Sequence, residues 1–191
     1  VVTGPELRTI FLGMDQKRDE LLYSNVKGKN PFKDKRVRQA FYQAIDIEGI
    51  KKTVMRRASN PSALMVGPGI NGFQPDAKRL PYDVEAAKKL MAEAGYPNGF
   101  EVTMNCPNDR YVNDGRICQT VAANLSRINV KINLAAETKG TYFPKVLRLV
   151  KHGLLNLESL ISEVWPLSRI NEAIALVETG KVNRIVLRAA P

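Results

Sequence analysis

Apolar residues recur at helical spacing in four stretches of the chain. Val37, Ala40, Phe41, Ala44 and Ile45 form one stripe, and Val84, Ala87, Leu90, Met91 and Ala94 a second. Ile117, Val121, Leu125 and Ile128 form a third, and Ile170, Ala173, Ile174 and Val177 a fourth. Spacing of three and four residues brings such positions onto one face of a helix, which then needs a core to cover it. Asp34, Asp83 and Ser168 stand where side-chain oxygens can cap the first, second and fourth helices. Gly95, followed by Pro97, stops the second, and Gly180 the fourth. Asp46 to Val54 reads as a short helix, Tyr142 to Leu147 as another with Pro144 near its first turn, and Leu154 to Ile161 as a third.

Alternating apolar and polar residues predict strands at Phe100–Met104 and Val130–Ala135. Leu7–Met14 alternates less regularly but fits a strand, Val164–Leu167 is extended, and Arg184–Arg188 is a closing strand. Ser59 to Pro81, with four Pro and three Gly, is a long loop, and Asp109–Asn113 a polar turn. Strands and helices alternate along the whole length, which is the signature of an α/β fold.

Composition narrows the classes. The 191 residues are 44% hydrophobic and 25% charged, as expected of a globular chain rather than a disordered, fibrous or disulfide-dense one. No apolar run approaches the length of a membrane span. The first residues, Val-Val-Thr-Gly-Pro, carry no targeting pattern and suggest an internal start. Two cysteines, Cys106 and Cys118, and one histidine, His152, are too few for a zinc site of the usual kind, so no metal is expected. The cysteines could pair, but the simpler expectation is two free, mostly buried thiols.

The net charge of +10 raises nucleic acid as a partner. The densest basic stretches are Lys27–Arg38, with six Lys/Arg and one Asp, and Lys51–Arg57, with four and no acid. Neither holds the aromatic ladder that stacks on bases, so no nucleic-acid role is expected.

Three ordered motifs carry a resemblance to a known family. They are Asn30-Pro31-Phe32-Lys33-Asp34-Lys35-Arg36-Val37-Arg38-Gln39-Ala40 with Ala44-Ile45-Asp46; Tyr82-Asp83 through Ala94-Gly95-Tyr96-Pro97-Asn98-Gly99-Phe100; and Asp114–Asn129 with Val130-Lys131-Ile132. Residues 1–147 thereby resemble the C-terminal lobe of the family 5 extracellular solute-binding proteins of ABC transporters, the dipeptide, oligopeptide and nickel group. The resemblance implies a type II periplasmic-binding-protein lobe, a mixed sheet flanked by helices. It further implies a peptide or small solute as ligand, capture by closure against a first lobe, and delivery to a membrane permease. By the same resemblance the protein is periplasmic or extracellular and not an enzyme.

A second resemblance begins near residue 153. Pro166-Leu167-Ser168-Arg169-Ile170-Asn171-Glu172-Ala173 and Gly180-Lys181-Val182-Asn183-Arg184-Ile185-Val186-Leu187 are similar to the C-terminal end of medium-chain, zinc-type alcohol dehydrogenases. Residues 148–191 are therefore read as a helix-strand-helix-strand appendage, and the chain as a fragment or fusion. Its last strand is expected to pair with an edge of the lobe's sheet. The alternative is a dehydrogenase fragment that needs a partner chain.

Candidate chemistry is sparse. In the solute-binding part, ligand contacts are expected on the loops at the sheet edge: Asn105, Asn108, Asp109, Arg110 and Tyr111. Arg184 matches the dehydrogenase position that looks like a cofactor-phosphate contact, yet no cofactor is expected, because the zinc ligands of that family are missing. Gly67-Pro68-Gly69-Ile70-Asn71-Gly72 fits G-x-G-x-x-G, but Phe73-Gln74-Pro75 follows instead of a helix, which argues against dinucleotide binding. No catalytic residue is assigned, and His152 reads as linker.

Overall fold

The computed structural model describes residues 8–151, 163–178 and 185–188. They divide between two compact units, one built from Gly13–Pro61 and Arg79–Leu154, the other from Val1–Leu12, Ser62–Lys78 and Leu155–Pro191.

In the first unit, a 3-10 turn at Pro31–Lys33 leads into α1 (Lys35–Ala44). Asn30 holds the turn: its carboxamide oxygen accepts from Phe32 N at 2.9 Å, and its Nδ2 donates to the carbonyls of Asp15 and Arg18. Asp34 caps α1 as predicted, accepting from Arg36 N at 2.8 Å. Asp46 caps the short α2 (Ile47–Gly49), which runs on as a single π-helical stretch to Val54. α3 (Val84–Glu93) starts at the Asp83 cap, where Oδ1 accepts from Ala86 N. It ends in a Schellman motif: Gly95 has φ +86, Gly95 N donates to Ala92 O, and Tyr96 N donates to Met91 O.

The apolar stripes then do what their spacing predicts. α1 packs on α3, and Val37, Ala40, Phe41, Ala44, Ala87 and Met91 are buried. The core between them is aromatic. Phe41 meets Phe32 edge-on at 5.2 Å and stacks on Phe100 at 6.0 Å, while Tyr96 meets Phe100 at 5.3 Å.

β1 (Glu101–Pro107) and β2 (Lys131–Glu137) are parallel, joined through α4 (Asp114–Leu125) and a 3-10 turn at Ser126–Ile128. Glu101 faces Lys131 in the register and Pro107 faces Glu137. A parallel pair needs a crossover of this kind, and the stripe Val121, Leu125, Ile128 buries α4 on the two strands. Gly99, at φ +65, sits where any side chain would run into the Asn129 carbonyl, so the entries to the two strands lie in direct contact. On the far side of β1, Ser24 forms an antiparallel bridge with Val102, and Thr103 N donates to Tyr23 O.

α5 (Lys139–Lys151) follows β2 at once. It is longer than predicted, and Pro144 lies inside it rather than in its first turn. The carbonyl that Pro144 leaves without its helical donor belongs to Gly140, where no side chain crowds the ring.

Three expectations fail. Residues 8–14 form no strand. The ladder position beside β1 is held instead by Tyr23–Asn25. Ser168 does not cap a helix; it lies inside a 3-10 turn, Leu167–Arg169, that leads into α6 (Ile170–Glu178). Strand β4 (Ile185–Arg188) pairs parallel with β3 (Glu163–Pro166), Val164 facing Val186, and not with the β1–β2 sheet. β3, α6 and β4 are a second parallel crossover, so the last strand finds its ladder locally. The predicted helix at Leu154–Ile161, the stop at Gly180, His152 and Arg184 lie outside the described residues.

In the second unit, Ser62–Lys78 is loop, as predicted. Residues 67–73 form successive turns, with Ile70 N donating to Gly67 O and Phe73 N to Ile70 O, and no helix follows the glycines.

Candidate functional site

The carboxyl ends of β1 and β2 open onto the loop 108–113 and the start of α5. Ligands of open α/β sheets bind at this end of the strands. All five predicted residues lie here. Asn105 is in β1, and the other four are in the loop that follows it.

Cys106 and Cys118 are not free thiols. They form a disulfide with a Cα–Cα distance of 6.6 Å, tying the end of β1 to the second turn of α4 and closing the loop between them. Twelve residues of separation do not decide pairing; what decides it is that α4 folds back along β1, and only the tertiary fold shows that.

Inside this closed loop Asp114 is almost fully buried, and its carboxylate accepts from Arg110 N, Tyr111 N and Gly115 N at 2.8–2.9 Å. Burial alone would raise the Asp114 carboxyl. The amide donors of Tyr111, Arg110 and Gly115 outweigh it and hold the group below the usual carboxylate range. Asn113, at φ +57, donates from Nδ2 to Val54 O, and Asp109 Oδ1 accepts from Lys139 N at 2.6 Å. Asn108 N donates to Glu137 O. The backbone of the candidate loop is thus tied to α4, β2 and α5.

The side chains facing outward are mixed. The Arg110 guanidinium lies 5.0 Å from the Tyr111 ring centre. Asn108, Tyr111, Arg116 and Gln119 line an open hollow of about 370 Å³. Beside it, Lys145 donates to both oxygens of Glu137 at 2.6 and 2.7 Å and approaches Asn105 Oδ1 at 3.4 Å. Tyr142 lies one helical turn before Lys145 and meets Phe143 edge-on at 5.2 Å. Burial, with the nearby Tyr111 hydroxyl, pushes the Tyr142 phenol up. Sequence reasoning missed Asp114, Glu137, Tyr142 and Lys145. The available signal was positional: Glu137 ends β2, and α5 begins two residues later.

A larger hollow of about 590 Å³ lies at the amino ends of the strands, lined by Asn98, Ser126, Asn129 and Lys131 among others. Its cation is already paired, Lys131 with Glu101 at 2.8 Å, and it gathers no comparable set of side chains. Among the described residues no cluster of metal-ligating side chains forms, and no helix is long and apolar enough to cross a membrane.

A parallel crossover with polar loops gathered at the carboxyl ends of its strands has the layout of an α/β binding protein. The particular family is the one the motifs suggest. The chain belongs to the bacterial extracellular solute-binding proteins, family 5, whose middle-region model matches residues 1–152. It is 34% identical over 113 residues to the heme-binding protein A of Haemophilus influenzae, an alignment covering 55% of this chain and 20% of that protein. It is 28% identical over 120 residues to the dipeptide-binding protein of Escherichia coli K12, covering 61% and 22%. Among solved structures, it is similar to a dipeptide-binding protein from Pseudoalteromonas sp. SM9913 in complex with Met-Leu, with TM-score 0.59, 25% identity, and coverage of 73% of this chain and 25% of that one. The chain spans about a fifth of the length of the curated relatives it matches.

Proposed function

We propose that residues 1–147 are one lobe, the C-terminal one, of a peptide-type solute-binding protein of an ABC transporter. Its role is capture rather than catalysis. A peptide or small solute is held against the carboxyl ends of β1 and β2 by Asn105, Asn108, Asp109, Arg110 and Tyr111. Closure of a first lobe over this face completes the site, and a membrane permease receives the ligand. The protein works in the periplasm or outside the cell. The single observation that carries the reading is the match of residues 1–152 to the family, joined to a loop held rigid at the strand ends by the Cys106–Cys118 bond and Asp114.

Residues 148–191 are read as a dehydrogenase-like segment. The motif Pro166–Ala173 spans the end of β3, the 3-10 turn and the first turn of α6, a placement that suits a strand-to-helix connection.

Amide chemical shifts of the whole chain test both readings. Met-Leu dipeptide, at millimolar concentration because one lobe offers half a cleft, is expected to shift residues 105–111 in a saturable manner. NADH is expected to shift nothing. Saturable NADH binding without any response to dipeptide would overturn the solute-binding reading in favour of a dehydrogenase fragment.

A further inference from the structure

β2 has one open edge, and its ladder with β1 shows which groups that edge offers. Lys131 N donates to Phe100 O, and Glu137 O accepts from Asn108 N, so the odd-numbered residues of β2 turn their N–H and C=O groups toward β1. The N–H and C=O of Ile132, Leu134 and Ala136 therefore point the other way. The parity of β1 agrees: its odd residues bond on the opposite side, Thr103 N donating to Tyr23 O and Glu101 O accepting from Asn25 N. Among the described residues no strand pairs with the outer edge of β2. Beside its first residues the surface is a hollow lined by Ala122, Ser126 and Ile132. Between Lys131 and Glu137 the edge has no proline, no bulge and no charge, the usual guards against pairing with another chain.

The strand is also complementary to itself. Laid antiparallel to a second copy about Leu134, it sets Lys131 opposite Glu137 at both ends, Ile132 opposite Ala136, and Leu134 opposite Leu134. The outward-pointing residues 132, 134 and 136 then become the hydrogen-bonded pairs. The charged residues fall at the non-hydrogen-bonded pairs, where facing side chains stand closest. Within each copy Lys131 is already paired with Glu101 at 2.8 Å and Glu137 with Lys145 at 2.6 Å. Each end of the joint thus reads Glu101, Lys131, Glu137, Lys145 across the two copies, alternating in sign. A slip of two residues loses both cross-copy ion pairs, and a parallel, in-register pairing sets like charges opposite each other.

We propose that the outer edge of β2 is an interface between two copies of this chain, joined antiparallel about Leu134 into one continuous sheet. The contact is isologous, so it closes with two copies and does not propagate into a fibre.

Sedimentation of the full chain from micromolar to millimolar concentration is expected to show a monomer–dimer equilibrium. Lys131→Glu and Glu137→Lys, each alone, place like charges opposite each other at both ends and are expected to weaken the dimer at least about tenfold. Mixed in equal amounts, the two variants present opposite charges at both ends again, and the dimer is expected to return. Ala136→Pro removes an outward N–H and leaves the β1 ladder intact, so only monomer is expected. Hydrogen exchange is expected to slow at the amides of 132, 134 and 136 as the dimer forms, while those of 131, 133 and 135 are slow at every concentration. A monomer throughout overturns the proposal, and so does a dimer that ignores the charge reversals or is not restored by mixing. Amides of 132, 134 and 136 that are slow at every dilution also overturn it, because the edge would then be closed within a single chain.

Discussion

The molecule contains the same local architecture twice, and the two copies are buried very differently. β1–α4–β2 and β3–α6–β4 are both parallel crossovers with an amphipathic helix. The first belongs to a unit whose core holds Phe32, Phe41, Phe100, Met91, Leu125, Ile128 and Val130, all nearly inaccessible. In the second unit, Ala173 is the one buried side chain among those described, while Leu167, Ile170 and Ile174 are 40–51% exposed along one side of the turn and helix. Periodicity in sequence is equally clear in both. A stripe of apolar residues therefore predicts that a helix forms and which face is apolar, but not how much of that face is covered. Coverage comes from a second layer, and α1 with α3 supply one in the first unit.

Four measurements press on this contrast. The largest effect is expected for Phe41→Ala, which removes the ring packed against both Phe32 and Phe100; it should cost about 3–5 kcal/mol in urea unfolding. A loss under 1 kcal/mol would mean the aromatic core is not what separates the two units. Replacing Cys106 and Cys118 by Ala should cost roughly 3 kcal/mol, the loop-closure entropy for a loop of about this size. Asp114→Ala should cost about 1–3 kcal/mol, because three part-buried amides lose their acceptor. Its pH dependence has a definite sign. The Asp114 carboxyl is held below its ordinary value in the folded protein, so its contribution is complete above the unfolded value of 3.8 and is lost as pH falls below it. Wild type should therefore lose stability in acid more steeply than the Asp114→Ala variant, and parallel acid titrations would exclude this role. Ile174→Ala, half-exposed on α6, should change stability by no more than about 0.5 kcal/mol. A cost above 2 kcal/mol would show that the α6 face is covered after all.

The helices were the most legible part of the fold in sequence, because their signals are local. Asp34, Asp83 and Gly95 act within one turn of where they stand, and each is found doing what its residue type suggests. Strand partners were not legible. Leu7–Met14 alternates, yet Tyr23–Asn25, a stretch with no strand pattern, takes the place beside β1. Alternation describes a face, while pairing depends on which backbone arrives, and that is set by chain segments far apart. The candidate site was half visible for the same reason. Its loop residues announce a turn through Asn, Pro and Asp. Glu137 and Lys145 become neighbours only because α5, which follows β2 at once, packs back against β1.

The Cys106–Cys118 bond has a further consequence for how the chain comes apart. Arg110 and Arg116 are exposed and lie within the covalent ring that the bond closes. A trypsin cut after either one breaks the backbone but not the molecule. The two pieces stay joined through sulfur, and such nicked protein runs as a full-length band until a reductant is added. Gels run with and without dithiothreitol therefore separate damage inside the ring from damage anywhere else along the chain.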